Sequence, residues 1–200
     1  MFKLTQQKQD NKIEYKGLRI ELDLSYDAIL KCLEVLEDEV FEEEEKVVLQ
    51  FRILVVDYKQ YADFDLYDRG KVVIAAFESL SEGKPKGAKP PEIEPYNFTH
   101  DAERIYASFL SAYDIDLIEK QGRLDWKTFI ALFSSLGEDT PIMKAIAYRL
   151  TDIPKDASKD EKERIRKLKK AYELPSHRKK REENMLKAME AQMKKFENLK

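Results

Sequence analysis

Apolar side chains recur every three or four residues along most of this chain, and that spacing constrains its fold more than any other feature. An α-helix turns once in about 3.6 residues, so this period places the apolar side chains on one helix face. Residues that favour helix starts precede several of the runs: Ser25, the glutamates at 42–45, Thr99, Asp125, Thr140 before Pro141, and Ser158 with Glu161. The pattern predicts a mainly α-helical chain.

Seven apolar runs ahead of the C-terminal tail predict helices, and glycine or proline marks where some of them end. Gly137 is expected to close the helix that carries Trp126, in the left-handed conformation that glycine tolerates. Pro154 and Pro175 end two later segments, because proline cannot continue a helix. The runs cover residues 29–36, 47–58, 73–80, 105–113, 126–136, 142–150 and 165–172.

A different period governs the N-terminal part of the chain. Ile13 and Tyr15 alternate with polar residues, Lys16-Gly17 interrupts the alternation, and residues 18–22 resume it. Two alternating runs joined by two residues that include glycine predict a short β-hairpin.

The segment 81–97 breaks the helical pattern, because it holds two glycines and four of the seven prolines. We therefore divide the chain into a hairpin with helices (1–80), a linker (81–97), a second helical region (98–175) and a C-terminal amphipathic helix (176–200). The expected fold is a helical domain with a short N-terminal β-hairpin and a long C-terminal helical arm. Five aromatic residues at helical spacings are expected among the most buried of the core: Tyr106, Phe109, Trp126, Phe129 and Phe133.

Few residues are available for chemistry. The chain has one cysteine, Cys32, and two histidines, His100 and His177, whereas a structural zinc site usually needs four such ligands. Cys32 lies between leucines on a helix, where a small half-buried side chain is expected rather than a nucleophile. No glycine-rich phosphate loop occurs, and no run reaches the roughly 18 apolar residues of a membrane span. We expect no catalytic residues, no cofactor, no metal and no membrane partner, so the chain is not expected to be an enzyme.

Charge is distributed unevenly. Residues 155–200 contain 16 lysines and arginines against nine acidic residues, whereas residues 1–154 contain 20 against 30. A basic tail on an acidic body is typical of a nucleic-acid arm, and the basic stretches at 164–170 and 177–181 are its best candidates. Glutamates interleave with the basic residues, and no aromatic ladder accompanies them, which favours a solvated helix instead.

The C-terminal tail carries the strongest candidate for partner binding. Its apolar stripe either packs on the body of the chain, pairs with a second copy in a homo-oligomer, or enters a groove of another protein. A basic composition and the preceding Pro175 favour a separable arm that engages a partner or a second copy. The stripe consists of Met185, Leu186, Met189, Met193 and Phe196.

Several motifs within residues 101–175 resemble the bacteriophage gene-product-fifteen family. IYASFL at 105–110 and YDIDL at 113–117 are similar to its "YASF…YGIDL" pattern, and LDWKTF at 124–129 resembles its tryptophan-containing helix start. LGEDT at 136–140, AYR at 147–149 and the basic helix at 164–170 follow in the family's order. The family usually has glycine where this chain has Asp114, and histidine where it has Asp125.

The resemblance implies a tail-morphogenesis protein of a long-tailed phage (siphophage) or a prophage of a Gram-positive host. Members are commonly encoded just before the tape-measure protein, a position typical of tail assembly chaperones. The implied partners are the tape-measure and tail-tube proteins of the same phage, met in the host bacterial cytoplasm or in the virion. A head-tail connector or tail completion protein is the alternative, and a nucleic-acid-binding phage regulator is the third.

Overall fold

The structure is a computed structural model that describes residues 11–81 and 93–178. It is mainly α-helical with one small antiparallel hairpin, as the sequence predicts. Most of the expected linker and most of the expected C-terminal helix lie outside the described residues. The hairpin strands are β1 (Lys12–Tyr15) and β2 (Leu18–Glu21), and the helices are α1 (Tyr26–Glu37), α2 (Glu43–Leu54), α3 (Leu66–Ser81), α4 (Ala102–Tyr113), α5 (Trp126–Ser134), α6 (Pro141–Leu150) and α7 (Lys159–Ala171), with a 3-10 helix at Tyr58–Tyr61.

The described residues form two compact units that are not contiguous in sequence. Unit 1 contains residues 11–81 and 114–135, and unit 2 contains residues 93–113 and 136–178. Part of the expected 98–175 region therefore packs with the N-terminal helices. The reason is an antiparallel backbone pairing in which the Tyr26 N–H donates to Leu124 (2.9 Å) and the Trp126 N–H donates to Leu24 (2.9 Å). This pairing joins the starts of α1 and α5.

The hairpin in unit 1 follows the predicted turn. Lys12 pairs with Glu21 and Tyr15 with Leu18, which leaves Lys16 and Gly17 as the two turn residues. Both have positive φ, 49° and 75°, as a type I′ turn requires. This turn matches the right-handed twist of the strands, and it explains why glycine occupies the second position.

The core of unit 1 joins the hairpin to α1, α2 and α3. Ile20, Cys32, Leu54, Val72 and Ala76 are completely buried there. A second layer is aromatic. In that layer the Phe129 ring stacks on the rings of Tyr26 (5.0 Å), Trp126 (5.6 Å) and Phe133 (6.3 Å).

The core of unit 2 is built around α4 and α6. Phe109, Ile142 and Ala145 are completely buried, and Leu174 is almost so. The Ser108 hydroxyl accepts from the Ile142 N–H (3.1 Å) and donates to the Arg104 carbonyl (2.6 Å), so α6 starts against α4 with no unpaired hydroxyl.

Two of the five aromatic residues expected in the core differ from the expectation. Phe109, Phe129 and Phe133 are 0%, 1% and 5% exposed, but Tyr106 and Trp126 are only partly buried. Trp126 is the first residue of α5 and packs against the unit 1 core with only part of its surface.

Three predicted helix boundaries are also wrong. Tyr58 is not part of α2, because Val55 has extended backbone and ends the helix. Thr99 does not start α4, which begins at Ala102 after a turn held by the Asn97 side chain. Gly137 does not close α5, which ends at Ser134, and Gly137 has no positive φ.

Leu36 does lie on α1 as predicted, but it is 53% exposed and so does not belong to the buried face.

Candidate partner-binding pocket

The apolar stripe that the sequence nominates for partner binding lies outside the described residues, which end at 178. Met185, Leu186, Met189, Met193 and Phe196 therefore stay a prediction. Among the described residues, the best candidate for a binding site is a small cavity in unit 1. We call it the basic pocket.

The basic pocket lies where the chain leaves α2, passes through the 3-10 helix and enters α3. Its volume is about 230 Å³. Phe51, which is 2% exposed, is the most buried residue of the pocket lining, and two tyrosines, three cations and one alanine form the rest. The lining residues are Phe51, Arg52, Tyr58, Lys59, Tyr61, Ala62 and Arg69.

Local backbone geometry sets this shape. After α2 ends, the Val56 N–H donates to the Glu21 carbonyl (3.0 Å), which holds the chain to the end of β2. Asp57 then adopts a left-handed conformation with φ of 53°, and the chain reverses into the 3-10 helix. Phe64 anchors the far side, because its ring lies 5.3 Å from that of Tyr61 and 6.3 Å from that of Phe51.

Two of the three cations lie against aromatic faces. The Arg52 guanidinium is 5.9 Å from the Tyr58 ring centroid, and the Arg69 guanidinium is 5.8 Å from that of Phe51. Both distances are within the range of cation–π attraction, so the rings help to hold the two guanidinium groups in place.

None of the three cations forms an ion pair within the described residues. Arg69 makes one long hydrogen bond, from Nη2 to the Ala62 carbonyl at 3.5 Å, and its buried Nε has no hydrogen-bond partner in that part of the chain. Most donors of the pocket are therefore unused.

A carboxylate next to the pocket is already occupied. Asp68 is buried, and it accepts from the Tyr15 hydroxyl (3.0 Å) and forms a 2.7 Å ion pair with Lys16. The hydrogen bond from Lys16 holds the pKa of the Asp68 carboxyl below its ordinary value. Asp68 thus ties the hairpin turn to α3 and does not neutralise the neighbouring Arg69.

The one cysteine of the chain is placed unfavourably for nucleophilic chemistry. Cys32 is completely buried, and burial raises the pKa of its thiol to about 12. A thiol with that pKa is protonated at neutral pH and is not a nucleophile. Within residues 11–81 and 93–178, no group of three or more histidine, cysteine or acidic side chains is arranged to hold a metal ion. No helix in the same residues is long and apolar enough to cross a membrane.

Several of the motif residues that carry the resemblance hold unit 2 together. Arg149 binds Asp101 through two hydrogen bonds of 2.7 and 2.8 Å, with side chains 2% and 0% exposed. The same guanidinium donates to the carbonyls of Pro95 (3.0 Å) and Tyr172 (2.6 Å). The AYR motif therefore fixes the segments before α4 and after α7.

Another motif position has a backbone role. Asp114 has φ of 53°, a left-handed conformation that costs a residue with a Cβ atom more than it costs glycine. That geometry explains why glycine suits this position.

The chain matches the family model of the Bacteriophage Gp15 protein over residues 8–174. It belongs to this family. The match covers the hairpin, both units and the motifs described above. Membership in the Gp15 family suggests a structural or assembly protein of a bacteriophage. No curated protein and no solved structure gives a significant match.

Sequence reasoning did not identify the basic pocket. Its cations are spread over residues 52–69 on three elements, and each alone resembles a solvated surface residue. The available signal was the interleaving of arginine, lysine, tyrosine and phenylalanine in the segment 51–69, where the apolar pattern also becomes irregular.

Proposed function

We propose that this Gp15 family member is a tail assembly chaperone of a long-tailed phage or prophage. It binds the tape-measure protein in the host cytoplasm, keeps it soluble and recruits tail-tube subunits to it. The observation that carries this proposal is the family match over residues 8–174. A tape-measure protein is long and helical, and its exposed apolar stripes would aggregate without a partner to cover them.

The described part of the chain offers two kinds of surface for such a partner. The basic pocket presents cations without ion pairs beside aromatic rings. Unit 1 also exposes large apolar side chains, among them Val40 (82%), Tyr67 (67%), Ile118 (66%) and Ile74 (54%). Exposed apolar side chains combined with uncompensated charge are suited to binding another protein.

The C-terminal arm is the third element of the proposal. Its predicted stripe at 185–196 binds the partner or a second copy, and the body folds without it. Arg178 is a suitable end point for a truncated chain, because Leu174 is buried and Ser176 donates to Glu94 (2.7 Å) in unit 2.

Co-expression with the neighbouring tape-measure protein tests the function. We expect the full chain to increase the soluble fraction of the tape-measure protein and to co-purify with it. A chain that ends at Arg178 keeps its cooperative melt but loses co-purification. The proposal is wrong if the tape-measure protein is equally insoluble with and without the full chain.

A further inference from the structure

The basic pocket is anomalous because it lies in an acidic unit. The described residues of unit 1 contain 12 lysines and arginines and 21 acidic residues, a net charge of −9. In such a unit carboxylates are abundant, yet none of them forms an ion pair with Arg52, Lys59 or Arg69 within the described residues.

Two of the four carboxylates on the same stretch of chain have other partners, and the other two, Asp57 and Asp63, are exposed and form no ion pair with the pocket within the described residues. Asp68 holds Lys16 and Tyr15, and Asp65 accepts from the Asp68 N–H (2.8 Å) at the start of α3. The positive charge of the pocket therefore remains available to a group from outside the chain.

The size of the pocket limits what that group can be. A cavity of about 230 Å³ is smaller than the roughly 300–1,000 Å³ that small-molecule sites usually have. It accommodates one side chain, with its methylene groups against the rings of Phe51, Tyr58 and Tyr61. A guanidinium presents planar paired donors that match a carboxylate.

We propose that the basic pocket binds a glutamate or aspartate side chain from an acidic segment of a partner protein. It rests on the proposed function only in taking that partner to be a protein. A nucleic acid fits less well, because a nucleotide is larger than the cavity of about 230 Å³.

Leu66 supports a peptide segment as the occupant. It lies one helical turn before Arg69 on α3 and is 39% exposed. Positions three apart lie on the same side of a helix, so an apolar side chain accompanies the cation. A segment that alternates acidic and apolar residues complements both.

Fluorescence anisotropy with the full-length chain tests the proposal. The probe is a fluorescein-labelled short peptide that alternates leucine and glutamate, and the comparison peptide has glutamine at every glutamate. We expect the glutamate peptide to bind about tenfold or more tightly than the glutamine peptide. The double variant Arg52→Gln/Lys59→Gln should bind the glutamate peptide more weakly than the wild type by about the same factor.

Lys120→Gln/Arg123→Gln is the matched control. Lys120 and Arg123 are exposed cations of unit 1 outside the pocket, so this double variant also loses two positive charges and should bind like the wild type. Arg52 and Lys59 are exposed, so melting curves of the double variant should superimpose on those of the wild type. Arg69→Lys, which keeps the charge but not the paired donors, should bind with intermediate affinity.

Three results would overturn the proposal. Equal binding of the two peptides would remove the role of the carboxylate. Tighter binding of a labelled single-stranded DNA, lost in the double variant, would assign the pocket to phosphates. Self-association that the double variant abolishes, with no peptide binding, would assign it to a second copy.

The proposed function can fail separately. If the double variant still keeps the tape-measure protein soluble, the pocket proposal fails for that partner and the chaperone function stands. If the wild type binds the glutamate peptide but never affects the tape-measure protein, the pocket stands and the function fails.

Discussion

Arg149 and Asp101 bring two charges into the interior of unit 2, where a charge without a partner is costly. Asp101 is fully provided with donors, because it also accepts from Arg104 (3.1 Å) and from the Asn97 N–H (3.2 Å). Arg149 in turn satisfies two backbone carbonyls. The pair therefore acts as the joint that connects three segments of unit 2.

Arg149→Met should destabilise the protein by about 3–5 kcal/mol, because it leaves the buried Asp101 carboxylate without its main partner. Urea unfolding followed by circular dichroism measures the loss. Lys167→Gln is the control, since its ion pair with Glu163 is exposed and should contribute less than about 0.5 kcal/mol. A loss below about 1 kcal/mol for Arg149→Met would show that the joint is not needed.

Asp114 shows how a single backbone conformation selects a residue. Asp114→Gly should leave stability unchanged or raise it by up to about 1 kcal/mol, because glycine adopts the left-handed conformation without strain. Asp114→Ala should lower it by about 1 kcal/mol. The midpoints of urea unfolding of the two variants test this prediction. A higher midpoint for Asp114→Ala than for Asp114→Gly would contradict the backbone explanation.

At the scale of helices, starts were easier to predict than ends. A start depends on residues close to the N-cap, and Asp125, Thr140 and Ser158 all occupy the predicted N-cap positions. Asp125 and Ser158 cap with their side chains, and Thr140 precedes the proline at the first helical position. Ends depend on packing that local sequence does not encode. The end of α2 is set by pairing of Leu22 with Val55 across the fold, so the apolar pattern through Tyr58 was misleading.

Asp125→Ala should cost about 1 kcal/mol of stability, since the Asp125 side chain accepts from the Thr128 N–H (3.0 Å) and the Thr128 hydroxyl (2.6 Å). Asp63→Ala is the matched control, because Asp63 is exposed and lies in a turn of the same unit. Thermal melts of the two variants decide the matter. Equal melting temperatures would mean that α5 does not depend on its cap.

At the scale of the whole molecule, the sequence predicted the fold class but not how distant segments combine. Backbone pairing assigns residues 114–135 to unit 1, although no local pattern distinguishes them from their neighbours. The basic pocket was missed for the same reason, because its lining comes from three elements. The motifs identified the family, and family membership does not by itself indicate which surface binds.

Carboxylates with lowered pKa values in both units predict acid sensitivity. Burial alone would raise the pKa of Asp101, but hydrogen bonds from Arg149 and Asn97 lower it overall. Burial would also raise the pKa of Asp27, but hydrogen bonds from the Gly122 N–H and from Lys31 lower it overall. The hydrogen bond from Lys16 lowers the pKa of Asp68.

The pKa values of these carboxyls are lower in the folded state than in the unfolded state. The groups therefore stabilise the protein fully at a pH above the ordinary pKa of 3.8. This stabilisation is lost as the pH falls through the lower folded-state pKa values. Melting temperatures measured from about pH 7 to about pH 2.5 should fall at the acid end. The Asp101→Asn variant should have a lower melting temperature at about pH 7 than the wild type, and its melting temperature should fall less steeply towards acid pH. An unchanged slope in that variant would remove Asp101 from the explanation.

Quantitative mass spectrometry of tail assembly intermediates and of purified virions, from the phage that encodes the chain, tests the proposed chaperone role most directly. A chaperone acts before polymerisation and then leaves. We therefore expect the protein together with the tape-measure protein in the intermediates, and at most traces of it in mature particles. A constant number of copies per mature virion, comparable to a structural tail protein, would contradict that role and identify a connector or completion protein instead.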